Sequence, residues 1–176
     1  MNKLVKLYRF LLPFETLTIS TNLAFSEVLQ KLDEIVEPPK TWRMALPFQK
    51  PNKPYGGTIT GNTFRISRNI HYYRNSFLPI ITGEIYPQTS GCYVKIKMNL
   101  HIAVLVFMIF WLWTPGSIGM LALLAWLVDR SVGPIFLPLF GMCIFAWSLC
   151  LFGFKIEAQK SVKFFSSLFT SSSEKL

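Results

Sequence analysis

Residues 98–128 read MNLHIAVLVFMIFWLWTPGSIGMLALLAWLV, 31 residues without a single Asp, Glu, Lys or Arg. About 20 apolar residues carry a helix across a hydrocarbon core roughly 30 Å thick, so the stretch is long enough for one crossing. Thr114, Pro115, Gly116 and Ser117 interrupt it. Divided there, each half would be too short to span, so the reading is one helix kinked at Pro115. Going outward, Asp129 to Gly133 is expected to form a tight link. A further 24 uncharged residues between Arg130 and Lys155 predict a second helix over about Pro134 to Phe154. Residues 99–154 thus read as a transmembrane helical hairpin. Trp111 and Trp113 would fall in mid-span and are expected to pack between the two helices. Gly119, Ala122 and Ala125 on one helix and Cys143, Ala146, Cys150 and Gly153 on the other would permit close approach. With no acid or base at depth, ion or proton transport is disfavoured.

The rest of the chain is basic. Of 18 Lys and Arg, 13 lie in residues 1–99 with 6 of the 9 Asp and Glu, and the net charge of the whole is +9. Such a charge suits nucleic acid. The bias of cytosolic flanks toward Lys and Arg, together with attraction to anionic lipid, explains it with fewer assumptions. Membrane lipids are therefore the expected partner, and nucleic acid is not. The tail carries four Lys and the helix link only Arg130, which places both termini in the cytosol. Lys3, Lys6 and Arg9 precede an apolar run, Phe10 to Phe14, that Pro13 and Glu15 cut too short for a signal peptide. Topology then falls to the two later helices. Three cysteines, Cys92, Cys143 and Cys150, make no disulfide framework or CxxC site.

Before the hairpin, residues 1–98 read as a cytosolic β-rich domain. Phe14 to Thr21 alternates Thr16, Thr18 and Ser20 with Leu17 and Ile19, a half-buried strand. Phe25, Val28, Leu29, Leu32, Ile35 and Val36 recur at helical spacing, predicting an amphipathic helix over about 22–36 capped by Asn22. Thr58 to Thr60 and Thr63 to Ile70 flank Gly61-Asn62, a hairpin turn pair. Phe77 to Tyr86 and Cys92 to Met98 flank Pro87 to Gly91 as a second hairpin, with Tyr93, Lys95 and Lys97 alternating against Val94, Ile96 and Met98. The tail, residues 155–176, is expected to hold an amphipathic helix from Lys155 to Thr170. Its stripe of Ala158, Val162, Phe165 and Phe169 would rest on the membrane surface or against the β domain. The fold class is α+β: a small β-rich domain with one amphipathic helix, a two-helix transmembrane hairpin and a tail helix.

The block GTITGNTFRISRNIHYYRNSFLPIITGEIYP, Gly57 to Pro87, together with the run from Gly141 to Phe169 containing GFKIEAQKSVKFFSSLF, resembles a loose group of small uncharacterised bacterial membrane proteins, cyanobacterial ones among them. The resemblance covers the C-terminal two-thirds. It implies the same layout of β domain, two helices and short tail, in a bacterial inner or thylakoid membrane, and brings no activity with it.

Chemistry is sparse. His71 and His101 have no neighbour at ligand spacing, so no metal is expected. No nucleophile elbow, no Cys-His signature and no phosphate-binding glycine loop is present, so neither a catalytic residue nor a cofactor is expected. Arg65, Arg68 and Arg74 with Tyr72 and Tyr73 form the densest polar cluster. The period of a strand would put Arg65 and Arg68 on opposite faces. Five prolines make Glu37 to Pro54 an irregular loop, in which Trp42 with Lys40, Arg43, Lys50 and Lys53 suits a lipid head-group zone. Lys40, Trp42, Arg43, Lys50, Lys53, Arg65, Arg68 and Arg74 are the candidate lipid or anion contacts. The functional expectation is a non-enzymatic membrane-anchored interaction, scaffold or assembly protein with a protein partner. A lipid-binding module is the alternative, and an enzyme acting on a membrane substrate comes third.

Overall fold

The computed structural model describes residues 11–39, 52–69 and 76–170. Six strands form one sheet: β1 (Phe14–Thr21), β2 (Val36–Glu37), β3 (Tyr55–Thr60), β4 (Thr63–Arg68), β5 (Pro79–Gln88) and β6 (Gly91–Leu100), in the order β1-β6-β5-β4-β3-β2. All neighbours are antiparallel except β2 and β3. Helix α1 (Phe25–Ile35) links β1 to β2, and α2 (Ile102–Val128) follows β6 after a single residue. A 3-10 turn, Arg130–Val132, then leads to α3 (Phe136–Thr170). The chain is α+β, as its patterning predicts. The two long helices are apolar and long enough to cross a membrane.

Strand β1 has the bounds that its alternation predicts. The helix after it begins at Phe25 instead of Asn22, and Ala24 takes the cap position. Alanine has no acceptor to offer the helix, and the local tie is the reverse one: Glu27 reaches back and accepts from the Ala24 N–H at 2.9 Å. At the first hairpin Gly61 alone has positive φ (58°), at the first central position, where glycine suits a II′ turn.

The second hairpin is tighter than the sequence suggests. Pro87 pairs with Cys92 and Gln88 with Gly91, leaving only Thr89 and Ser90 as the turn. Proline is tolerated there because Ile85 turns its N–H toward β4, onto Asn62 O. Two residues on, the missing N–H of Pro87 faces the same side, past the end of β4.

One face of the sheet holds the core: Cys92, Val94, Ile96 and Met98 of β6, Ile81 and Ile85 of β5, Phe64 and Ile66 of β4. Gly83 belongs to this face, and the Phe64 ring lies over it so closely that a Cβ would sit 2.0 Å from Phe64 Cζ. Helix α1 adds Val28 and Leu32. The remaining cover comes from the far half of α3.

That helix is continuous for 35 residues, roughly 50 Å at 1.5 Å per residue. Its first half leaves Leu137, Ile144, Phe145 and Phe152 exposed, whereas Phe154, Ala158, Phe165 and Phe169 are buried. The tail helix is thus the second half of α3 and packs on the sheet. Phe165 is its centre, with ring centroids 5.3 Å from Tyr55, 6.4 Å from Phe64 and 6.2 Å from Phe169. Val162, expected on the stripe, is half-buried.

Polar ties fix the same half-helix. Thr21 Oγ1 donates to Phe169 O at 3.0 Å and Lys31 Nζ to Leu168 O at 2.9 Å, satisfying carbonyls that a helix end leaves without partners. Lys155 Nζ donates to Phe14 O and pairs with Glu15 at 2.9 Å.

Helix α2 runs unbroken through Pro115. It meets α3 at Gly119, where an added Cβ would stand 3.0 Å from the Phe140 ring. Trp113 is 75% exposed and Trp111 37%. The expectation that both pack between the helices therefore fails for Trp113, which projects outward; Met108, Pro115 and Gly119 are the buried residues of α2, and Trp111 stands one turn from Met108 and from Pro115 on their side of the helix.

Candidate functional site on the open face of the sheet

Because α1 and α3 both lie on the core face, the opposite face of the sheet carries no described helix, and its side chains follow from register. Thr16, Lys97, Thr82, Arg65 and Thr58 form one row across five strands. Two residues further along, Thr18, Lys95, Glu84, Thr63 and Thr60 form the next. Strands lie about 4.8 Å apart and rise about 3.4 Å per residue. Lys97 and Arg65 are therefore roughly 10 Å apart in backbone position, and Lys95 stands about 7 Å from Lys97 along the same strand. Beyond these rows the Tyr86 and Tyr93 rings stack at 4.9 Å.

Among the described residues, the face therefore bears three cations, a line of threonine hydroxyls and one carboxylate. The Tyr86 hydroxyl donates to Glu84. That bond is lost when the phenol ionises, so it pushes the Tyr86 pKa up from 10.0. Lys95, Lys97, Arg65 and Glu84 border a shallow hollow. A second groove runs from Arg65 and Ser67 past Ser76 and Ile80 to His101 at the start of α2. His101 caps that helix, its Nδ1 accepting from Ala103 N at 3.1 Å.

The described candidate contacts go to three different places. Arg65 is on the open face. Arg68 is on the core side, where Nη1 meets Glu157 at 2.9 Å. Lys53 donates to Asp33 O and to Val36 O, the latter at 3.1 Å, at the end of α1. Lys40, Trp42, Arg43, Lys50 and Arg74, with most of the proline-rich loop and His71, lie outside the described residues.

Glu157 is a buried carboxylate, its side chain 3% exposed, and it also accepts from Lys160 at 2.7 Å. Ser161, one turn on, lies 3.5 Å from the Tyr55 hydroxyl; burial is the main cause that raises the Tyr55 pKa. Both partners of Glu157 are cations, so the node suits holding α3 against β4. Among the described residues, no three His, Cys, Asp or Glu side chains gather as a metal site.

Sequence reasoning turned Lys95 and Lys97 outward but did not join them to Arg65 and Thr82. The turns carried part of the signal: Gly61-Asn62 fixes the register of β3 with β4 and Thr89-Ser90 that of β5 with β6, whereas the β4–β5 register that sets Arg65 beside Thr82 is fixed by neither turn. The chain matches no protein-family model, no curated protein and no solved structure.

Proposed function

We propose that the chain is an integral membrane protein, of a bacterial inner or thylakoid membrane, whose sheet domain stands in the cytosol as a non-enzymatic interaction or assembly module. The observation that carries this reading is α3. A helix whose first half exposes Ile144, Phe145 and Phe152 and whose second half buries Phe154, Phe165 and Phe169 in the domain core joins anchor to domain without a hinge. Only 17% and 11% of the most apolar windows of α2 and α3 are buried within the fold, so these are not core helices. In water, apolar surface of that extent is untenable. Of the 18 Lys and Arg, Arg130 alone lies in the link between the helices, which favours the sheet side as cytosolic. The resemblance to small bacterial membrane proteins implies the same layout.

What the domain then offers is its open face. A photo-crosslinking residue at Thr82, in the centre of that face, should yield protein adducts in native membranes, with far fewer from the same residue at Ser167 on α3. Absence of protein adducts at every surface position would contradict the interaction reading. Lipid binding is a second reading, favoured by the groove that brings Arg65 and His101 to the start of α2. Lipid adducts from Ser67, with none to protein from Thr82, would select it.

A further inference from the structure

Among the described residues the open face of the sheet is basic, while the other side is mixed: α1 carries an acidic stripe, and the second half of α3 beside it carries Lys160 and Lys163. On α1, Glu27, Gln30 and Glu34 recur along an exposed stripe with Asp33 beside it. The one cation of α1, Lys31, is turned to the end of α3. Through Val28 and Leu32, α1 packs on the core side, against β5 and β6 among others. The reverse side of β6 carries Lys95 and Lys97. Helix α1 also crosses their level: it leaves β1 at Thr21, opposite Cys92, and ends where Val36 joins Tyr55, at the other end of the sheet.

We propose that the Arg65, Lys95 and Lys97 face of one copy docks on the acidic α1 face of a second copy, and that repetition builds a row or ring of this chain in the membrane plane. This rests on the interaction reading above and names its partner. Copies inserted in one orientation differ by translation and by rotation about the membrane normal, both of which preserve height. Patches at one level on opposite sides can therefore meet without tilting either anchor. Since the surfaces that meet are different, the contact is heterologous and propagates as a chain or closes as a ring. The face is small: the four spacings of about 4.8 Å between five strands, by some 20 Å of strand, give roughly 400 Å². That is the scale of a weak contact, dependent on charge and on confinement in the membrane, and sensitive to salt.

Two chains co-expressed in one bacterial membrane test this, one with Gln30→Cys and the other with Thr82→Cys. Cys92 and Cys150 are buried and Cys143 is half-buried; the chain with its native cysteines alone is the control. On mild oxidation the mixed disulfide should exceed either homodimer at least tenfold. Adding Glu27→Lys and Glu34→Lys to the first chain should lower it about tenfold, and Lys95→Glu with Lys97→Glu in the second should restore it. No mixed disulfide, homodimers in equal yield, or a loss that the charge swap does not restore would overturn the proposal. Thr82 photo-adducts to another protein without the mixed disulfide overturn the self-assembly alone. If neither appears, both readings fall.

Discussion

Replacing Phe165 with alanine should loosen the whole sheet domain, although the residue lies 65 positions beyond the last strand. Its side chain is fully buried and its ring packs against Tyr55, Phe64, Phe164 and Phe169. Burying 150–250 Å² at about 25 cal/mol per Å² is worth roughly 4–6 kcal/mol as an upper bound, and measured Phe→Ala losses in cores are about 3–5 kcal/mol. Set against about 5–15 kcal/mol for a whole domain, such a loss raises the unfolded fraction by about two to four orders of magnitude. Hydrogen exchange of the full chain in nanodiscs would show it as faster exchange throughout β4, β5 and β6, while α2 amides keep their protection. Ser167→Ala, on the exposed side of α3, is the control and should leave exchange unchanged. Sheet protection untouched by Phe165→Ala would mean that the sheet folds without α3, and would refute the account of the core.

Gly83→Ala should destabilise the domain by about 1–3 kcal/mol, because the new Cβ would stand 2.0 Å from Phe64 Cζ and force that ring to move; Gly83→Ala combined with Phe64→Leu should recover part of the loss in denaturant titration. Arg68→Met should cost more than Glu157→Gln, since the first leaves the buried carboxylate with Lys160 alone while the second leaves two cations that are 36% and 48% exposed and can hydrate. Equal losses in chemical unfolding would contradict that assignment. Tyr86 should ionise above the ordinary value of 10.0, and Glu84→Gln should bring it down. The donating form is the neutral phenol, so its contribution is complete below 10.0 and fades as the pH rises past the raised value; ultraviolet titration of the phenolate reads it directly.

Some of this architecture was legible in residue order alone. Thr16, Thr18 and Ser20 alternate cleanly with apolar neighbours, and β1 follows. Charge-free runs mark α2 and the first half of α3, helices long and apolar enough to cross a membrane. Where α3 stops is another matter. Lys155 ends the apolar run, but a backbone helix need not stop where its surroundings change, and Lys155 instead finds Glu15 on β1. The role of Glu157 is invisible locally, since its partner Arg68 is 89 residues away. The cap of α1 was misplaced because Asn22 offers an acceptor and Ala24 none, whereas the bond that forms is donated by the backbone. The open face needed pairing register as well as period: alternation turns Lys97 outward, and only register sets it in line with Thr82 and Arg65.

Sidedness of labelling tests the central claim, a cytosolic sheet domain held by a membrane-crossing hairpin, most directly. Single cysteines at Ser131 in the helix link, Thr82 on the open face and Ser167 on α3 would be exposed to a membrane-impermeant thiol reagent in intact cells or sealed vesicles, with the unsubstituted chain as blank. The account predicts that Ser131→Cys labels from the side opposite the cytosol, and that Thr82→Cys and Ser167→Cys label only from the cytosolic side. Labelling of all three from one side would contradict the crossing, and labelling of Thr82→Cys from the outside would reverse the orientation.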